Sequence, residues 1–208
     1  MEYVLKEFKS NADLLNGDLY QLSSYHWEAD TPYRPLTYAN IGIVGDSLVA
    51  VLKCYEEDPK TACLNRDDPV YTDSCLEFFV APVSERDEYI NVECNSKGIF
   101  LSEFGTGKNG RRLVSDLIPL SSPLVESFVG EDDKGVYWGV CVALTKPFVS
   151  ALYKIDTDKI DYKSIRLNFY KCGDGCSIPH YLAFSPVTTL PPGFHNPECF
   201  ATFKKEIK

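Results

Sequence analysis

Residues 88–98, EYINVECNSKG, alternate between polar and apolar side chains, and this alternation decides the fold class. The even positions from Ile90 to Cys94 are apolar, whereas the odd positions from Tyr89 to Asn95 carry a phenol, two amides and a carboxylate. Successive side chains of a β-strand point to opposite faces of the sheet, so a period of two indicates a strand with one face in the core. The Asn-Ser-Lys-Gly run then closes the strand with a turn.

The same pattern recurs along the chain and predicts an all-β protein. Further predicted strands are IGIVG (41–45), SLVAVLKCYEE (47–57), SCLEFFVAP (74–82), IFLSEFG (99–105), VYWGVCVALT (136–145), SIRLNFYKC (164–172), HYLAFSP (180–186) and CFATFKK (199–205). The segment PFVSALYKID (147–156) predicts one short helix. No repeat or flexible linker divides the chain, so we expect one antiparallel β-sandwich domain over residues 1–208, of the jelly-roll kind.

Charge and composition exclude several classes of partner. The net charge is -9, so a polyanion such as nucleic acid would be repelled. No window approaches the roughly 18 apolar residues of a membrane span, and the first residues lack a basic segment followed by an apolar run. Several of the eight cysteines lie inside strand-like runs, where reduced thiols act as small hydrophobes. We therefore expect a soluble, cytoplasmic chain with no membrane partner.

Three predicted strands carry polar residues on the face opposite their apolar residues, and this polar face suggests a binding surface. They carry Glu77, Asn91, Glu93, Arg166 and Asn168. An ordinary solvated face is a mixture of Thr, Ser, Lys and Glu, whereas amides, carboxylates and a guanidinium can each engage two hydroxyl groups of a sugar. The alternative is a solvent-exposed face joined by cross-strand ion pairs such as Glu93 with Arg166.

Two other kinds of chemistry are weaker in the sequence. Cys172, Cys176 and His180 supply only three of the four ligands of a structural zinc site. The run CGDG (172–175) is typical of a turn at the end of a strand, so we favour a turn without a metal. The acidic runs DDP (67–69) and EDDKG (131–135) could ligate calcium, but ordinary turns explain them equally well. Glu77 and Glu93 could form the carboxyl pair of a glycosidase.

Five motifs, taken in order, give the chain a resemblance to a known family. DSCLEFFVAP, YINVECNSKGIF, RLNFYKCGD, PHYLAFSPV and PGFHNPECFATF resemble the carbohydrate-binding module family 9-like domain over nearly the whole chain. The resemblance implies a β-sandwich that binds carbohydrate. Characterised members hold the reducing end of a sugar between two tryptophans and carry structural calcium. Here Trp138 alternates in step with Val136, Val140 and Val142, which indicates that it faces the core. No pair of tryptophans therefore matches that clamp.

The sequence therefore predicts a non-catalytic carbohydrate-binding domain with a concave polar sheet face. The motif strands contain Glu77, Asn91, Glu93, Arg166, Asn168 and Lys171. We expect the first five to hydrogen-bond sugar hydroxyls and Lys171 to lie at the rim. Trp27 or Tyr71 would stack on the sugar, and no cofactor is expected beyond the calcium that the resemblance implies. The rival predictions are a glycan-active hydrolase using Glu77 and Glu93, and a structural or protein-interaction sandwich with no small ligand.

Overall fold

The computed structural model describes residues 2–25 and 33–206 and contains two β-sheets. Sheet 1 has eight strands, in the spatial order β1 (Glu2–Leu5), β14 (Ala201–Lys205), β12 (Ser164–Cys172), β6 (Cys75–Ala81), β7 (Tyr89–Asn95), β8 (Phe100–Gly105) and β9 (Arg112–Leu113), with β13 (Tyr181–Ala183) pairing with β12. Sheet 2 has six, in the order β10 (Leu124–Asp132), β11 (Gly135–Thr145), β5 (Ser47–Cys54), β4 (Thr37–Val44) and β2 (Glu7–Phe8), with β3 (Tyr20–Gln21) pairing with β4. The predicted β-sandwich is confirmed.

Strand pairing is antiparallel except at two positions near the chain start. β1 pairs in parallel with β14, and β2 pairs in parallel with β4. Among the described residues there are three short α-helices, namely α1 (Asn11–Leu15), α2 (Val114–Leu117) and α3 (Lys146–Tyr153). The predicted helix is α3, which begins after Thr145, whose hydroxyl accepts a hydrogen bond from the Phe148 amide, and ends at Lys154 in the left-handed conformation. No helix among the described residues is long and apolar enough to cross a membrane.

The apolar faces of the two sheets pack against each other and form one core. Ile90 and Val92 of β7 are fully buried there with Phe78 of β6, and all three face the core as the alternation predicts. Sheet 2 contributes Leu52 and Trp138, which confirms that Trp138 is a core residue. Burying side chains of this size stabilises the fold by about 1.5 to 3 kcal/mol each. The core therefore fixes the register of the strands that carry the polar residues on the opposite face.

One long strand, β10, is absent from the predicted set. It pairs with β11 along its whole length but lies at the edge of sheet 2, and most of its side chains are exposed or half-buried. An edge strand does not need an apolar residue at every second position, because it has one neighbouring strand and its side chains contact little of the core. Its sequence, LVESFVGED, therefore lacks the signal that revealed the central strands.

The outer face of sheet 1 is not the open polar surface that the alternation predicted. The chain from 186 to 200, here called the cover segment, packs on it through Val187, Cys199 and Phe200, with Phe194 partly buried alongside. Asn91 and Asn168 are consequently buried. These residues lie on the predicted face of the sheet, but the prediction that they are exposed is wrong. Aromatic residues of the same face, such as Tyr170, pack against an apolar covering layer.

Lys171 does not lie at the rim of the polar face, which corrects the prediction. It follows Phe169 by two residues and therefore points to the side between the sheets, where it is fully buried. Its Nζ lies 2.9 Å from Ser74 Oγ, 2.5 Å from His180 Nε2 and 3.4 Å from Glu56 Oε2.

The partners of Lys171 form a connected polar cluster. The indole of Trp138 donates to Glu56 Oε2 at 3.0 Å, and Ser74 donates to the same oxygen at 2.5 Å. Burial alone would raise the pKa of Glu56, but the Lys171 ammonium and these donors hold it below its ordinary value. For His180, burial and the same ammonium lower the pKa to about 4. We define this set, Glu56, Ser74, Trp138, Lys171 and His180, as the buried ion cluster.

Candidate functional site

A cavity of about 500 Å³ lies between the outer face of sheet 1 and the cover segment. Its lining comes from β6, β7, β12, β13 and four loops, and consists of Tyr71, Glu77, Glu93, Lys108, Cys172, Asp174, Tyr181, Pro192, Gly193, Phe194 and His195. This volume falls within the range of about 300 to 1,000 Å³ that is common for small-molecule sites. We refer to it as the cover cavity.

Two buried carboxyl groups form the floor of the cover cavity. Glu77 of β6 lies directly opposite Glu93 of β7. Cys172 Sγ donates to Glu77 Oε1 at 2.8 Å, and Asn91 Nδ2 donates to Glu93 Oε1 at 2.7 Å. Burial raises the pKa of Glu93 to about 7 and that of Glu77 well above its ordinary value, and the proximity of the two carboxyls adds to the shift of Glu77. At neutral pH the floor therefore holds protons that ordinary glutamates would have lost.

Aromatic rings form the walls of the cavity. Phe194 of the cover segment stacks on Tyr170 with ring centroids 4.0 Å apart and an interplanar angle of 12°, and the Tyr170 hydroxyl donates to the Phe194 carbonyl at 3.0 Å. Tyr181 meets Phe194 edge to face at 6.3 Å. Tyr71 lines the cavity with 41% of its surface exposed. The wall thus offers apolar ring surface that is held in place from below.

The rim carries polar groups from loops. The backbone amide of Asp174 donates to the Tyr71 carbonyl at 3.0 Å, which ties the turn after β12 to the wall. Asp174 is exposed as a residue, but partial burial of its carboxyl raises the pKa, and a hydrogen bond from Tyr181 opposes that shift. Lys108 is exposed at the rim. His195 Nδ1 lies 2.8 Å from the Tyr89 hydroxyl.

Comparison with known proteins assigns the chain to a family. The family model described as carbohydrate-binding family 9 matches residues 11–205. This chain belongs to carbohydrate-binding family 9. A comparison with curated protein sequences finds no match. The predicted family resemblance is confirmed.

Solved structures similar to this family 9 chain share its fold. A protein from Bacteroides uniformis ATCC 8492, assigned to carbohydrate binding, is 26% identical with a TM-score of 0.78 over 99% of each chain. A family 9 module from Caldicellulosiruptor kristjanssonii in complex with cellotriose is 9% identical, with a TM-score of 0.63 over 100% of this chain and 95% of that chain. A family 9 module from the same organism in complex with glucose is 10% identical, with a TM-score of 0.57 over 100% and 97%. At these identities the two C. kristjanssonii structures establish the fold alone.

Three of the predicted site residues line the cover cavity of this family 9 chain. Glu77, Glu93 and Tyr71 converge there. Asn91 lies beneath them, since its amide holds Glu93 and its Oδ1 accepts from the Glu103 amide at 3.2 Å. Asn91 therefore positions a floor carboxyl from a buried position.

The other predicted residues do not line the cavity. Arg166 Nη1 reaches the Pro197 carbonyl at 3.5 Å, and Asn168 bonds both the amide and the carbonyl of Ser185, at 2.8 and 2.9 Å. Asn168 holds the chain where it leaves β13, and Arg166 contacts the far end of the cover segment. Lys171 belongs to the buried ion cluster, and Trp27 lies outside the described residues.

Most of the cavity residues that the sequence did not assign to the sugar site come from loops, namely Lys108, Asp174, Pro192, Gly193, Phe194 and His195. The other two, Cys172 and Tyr181, lie on β12 and β13. Asp174 lies in CGDG, a run typical of a turn, and Phe194 and His195 lie in PPGFHNPE, a run typical of a loop. The available signal is Phe194, a large apolar ring within an otherwise polar loop, because burying such a ring against the sheet is favourable.

The three metal ligands considered from the sequence do not form one group: Cys176 and His180 line one small cavity, which Cys172 does not join. Cys172 points to the cover cavity, whereas His180 joins the buried ion cluster, where an ammonium 2.5 Å from Nε2 occupies the position that a metal ion would need. In the acidic turn of residues 67–69, Asp68 accepts the amides of Leu64 and Asn65 at 3.0 and 2.9 Å.

In the second acidic run, Asp132 also accepts hydrogen bonds from the protein. Asp132 accepts from the Tyr55 hydroxyl at 2.7 Å, from Lys53 Nζ at 3.3 Å and from the Lys134 amide at 3.0 Å. Calcium needs six to eight oxygen ligands at about 2.3–2.6 Å. Asp68 and Asp132 thus accept hydrogen bonds from the protein, whereas Asp67 Oδ1 is buried without a hydrogen-bond partner. Among the described residues, neither acidic run brings three carboxylates together.

Acid should weaken the fold partly through His195. Burial, together with Arg111 and Lys108, lowers the pKa of this histidine from 6.5 to about 3. The unfolded chain therefore binds a proton that the folded chain does not, so its contribution to the unfolding free energy is full above pH 6.5 and is lost as the pH falls toward 3. We expect a slope of at most about 1.4 kcal/mol per pH unit from this group.

Urea unfolding of the wild type and of His195→Asn from pH 7 to pH 4 isolates that slope. Asparagine retains an acceptor for the Tyr89 hydroxyl but does not titrate. Other titrating groups, including Glu93 and His180, are common to both proteins and cancel in the difference. The two unfolding free energies should converge as the pH falls. A constant difference would show that His195 titrates normally in the folded chain.

Proposed function

We propose that this chain binds a carbohydrate in the cover cavity and does not hydrolyse it. The observation that carries the proposal is the combination of aromatic walls with a floor of paired, hydrogen-bonded carboxyl groups. A sugar has both apolar C–H faces and hydroxyl groups, so it needs ring surfaces and directional polar groups in one site. Membership of carbohydrate-binding family 9 supports the same conclusion.

The protonation of the floor suits a neutral ligand. A carboxylic acid that keeps its proton both donates and accepts hydrogen bonds, whereas a carboxylate only accepts. The raised pKa values of Glu77 and Glu93 allow this pair to meet sugar hydroxyls in both senses without burying two negative charges. A charged ligand would lose this match.

The walls and rim would hold the sugar from the side. Tyr71, Tyr181 and Phe194 provide the ring surface against which a sugar face packs. Asp174 and Lys108 reach hydroxyls near the opening, where they remain in contact with water. This arrangement uses one tyrosine, Tyr71, that the sequence predicted to stack, and replaces the sheet-face residues Arg166 and Asn168 by loop residues.

The proposal is tested by calorimetric titration of the chain with a panel of mono- and oligosaccharides, including glucose and cellotriose. Saturable heat with one sugar class is expected. Tyr71→Ala should weaken that binding by about 0.5 to 1.5 kcal/mol, or about 2- to 12-fold, because it removes one wall. The matched control is Tyr137→Ala on sheet 2, which should leave the affinity unchanged.

Arg166→Ala separates the cover cavity from the sheet face as a whole. Its guanidinium contacts the Pro197 carbonyl and does not line the cavity. We therefore expect the affinity of Arg166→Ala to stay within about twofold of the wild type, since less than 0.5 kcal/mol is at stake for a side chain outside the site. A loss of tenfold or more would place the ligand on the sheet face beyond the cavity.

Two outcomes would replace the proposal by its rivals. Turnover of a chromogenic glycoside that is lost in Glu77→Gln would make the floor carboxyls a catalytic pair. Silence across the sugar panel, together with a stable complex with a partner protein, would identify the fold as an interaction sandwich.

A further inference from the structure

Two thiols and a carboxyl group meet at the floor of the cover cavity. Cys75 lies directly opposite Cys172 across β6 and β12, and Glu77 follows Cys75 by two residues on the same face. The sulfur atoms of both cysteines and a carboxyl oxygen of Glu77 all lie within 4.8 Å of one another. Each of the three residues is at most 2% exposed.

A buried oxygen beside this group has no hydrogen-bond partner among the described residues. Of the nearby cations, Arg111 pairs with Glu103, Lys171 pairs with Glu56 on the core side, and Lys108 is exposed at the rim. Glu93, directly opposite Glu77, lines the same cavity, and its Oε2 is buried without a hydrogen-bond partner in the described chain. A cation bound at the floor would give this unpartnered oxygen an electrostatic partner.

We propose that Cys75, Glu77 and Cys172 bind one soft divalent cation of the Zn²⁺ type. Two sulfurs and one carboxyl oxygen are a donor set that suits Zn²⁺ and does not suit Ca²⁺ or Mg²⁺. In a tetrahedral zinc site such donor atoms are about 3.3 to 3.8 Å apart, so small side-chain rotations convert the observed cluster into a coordination site.

The fourth coordination position would open into the cover cavity. Glu77 and Cys172 both line that cavity, whereas Cys75 lies behind them. Three protein ligands with one position left to water or a ligand atom is the arrangement of open zinc sites. Metal binding itself does not rest on the proposed sugar binding, since it needs only the three side chains and access through the cavity.

The test is a titration of the reduced, chelator-treated chain with Cd²⁺, followed by competition with Zn²⁺, in the absence of sugar. Thiolate ligation produces an ultraviolet charge-transfer band with Cd²⁺, and each thiol releases its proton to solvent on binding. We expect the band to saturate at one equivalent per chain and to disappear when Zn²⁺ replaces Cd²⁺.

Variants identify the ligands. Cys75→Ser and Cys172→Ser should each reduce the amplitude of the band by about half and weaken binding at least tenfold, and Glu77→Gln should weaken binding with the full amplitude retained. Cys141→Ser and Cys199→Ser are the matched controls, because these thiols lie outside the group, and both should bind like the wild type. Urea unfolding of each metal-free variant establishes that it is folded before it is titrated.

The proposal is overturned if the wild type gives no band. It is equally overturned if the folded Cys75 and Cys172 variants keep the wild-type band and affinity, which would assign the metal to other thiols. Sugar titrations of the metal-free chain are scored separately, so a failure of the sugar proposal leaves this result unaffected.

Discussion

Lys171→Met is expected to lower the free energy of unfolding by about 3 to 5 kcal/mol, the largest effect of any single change considered. The substitution retains the length and apolar stem of the side chain but removes the ammonium that lies 3.4 Å from Glu56. Glu56 is 7% exposed and would be left as an uncompensated buried charge, with Ser74 and His180 losing a donor or an interaction partner. Urea denaturation at neutral pH measures the loss.

Two further variants distinguish loss of charge compensation from loss of packing. Adding Glu56→Gln to Lys171→Met should recover part of the stability, because the amide removes the unpaired charge while it still accepts from the Trp138 indole. Lys163→Met is the control, since its ion pair with Asp161 is 82% and 49% exposed and should change stability by less than about 0.5 kcal/mol. Equal losses in Lys171→Met and in the double variant would mean that packing alone explains the effect.

Asp174→Ala is expected to weaken carbohydrate binding by about 1.5 to 3 kcal/mol, or about 10- to 150-fold. Asp174 is exposed at the rim of the cover cavity and its carboxyl can accept two hydroxyl groups at once. The change removes these acceptors without creating a buried void, so the variant should fold normally. Calorimetry with the best sugar of the panel gives the affinity.

The conservative and remote variants sharpen this result. Asp174→Asn retains one acceptor and should lose less affinity than Asp174→Ala. Asp158→Ala changes an exposed carboxylate outside the cavity and should have no effect. If Asp174→Ala binds sugar as the wild type does, the rim is not part of the site, and the Tyr71→Ala result then decides whether the wall is.

The alternation of single strands predicted much of the site but not its boundary. Glu77 and Glu93 were found because their neighbours on β6 and β7 are apolar at every second position, which assigns both carboxyls to one face. The same rule places Lys171 on the core side together with Phe169, so the alternation along β12 predicts that Lys171 is buried. Its ionic partner Glu56 lies more than a hundred residues away in sequence, and no local pattern connects the two.

The cover segment marks the limit of local patterns. Its Gly and Pro residues predict a loop, and the structure confirms an irregular path. That path crosses the outer face of sheet 1, where Phe194 packs on Tyr170, and this buries the face that the strand pattern left open to solvent. Contacts between distant segments decide whether the polar face of a strand meets solvent or a covering loop. The alternation of polar and apolar residues within one strand carries no information about those contacts.

The sequence alone determined that this protein is a two-layer β-sandwich and which side chains share a face, because period-two burial acts residue by residue along each strand. Only the tertiary structure decided that Glu77 and Glu93 lie under a cover segment beside Tyr71, that Asp174 and Phe194 complete the cavity, and that Cys75 meets Cys172. These are encounters between residues far apart in the chain. Strand order, register and loop path create them, and the free energy that selects them is that of the whole core.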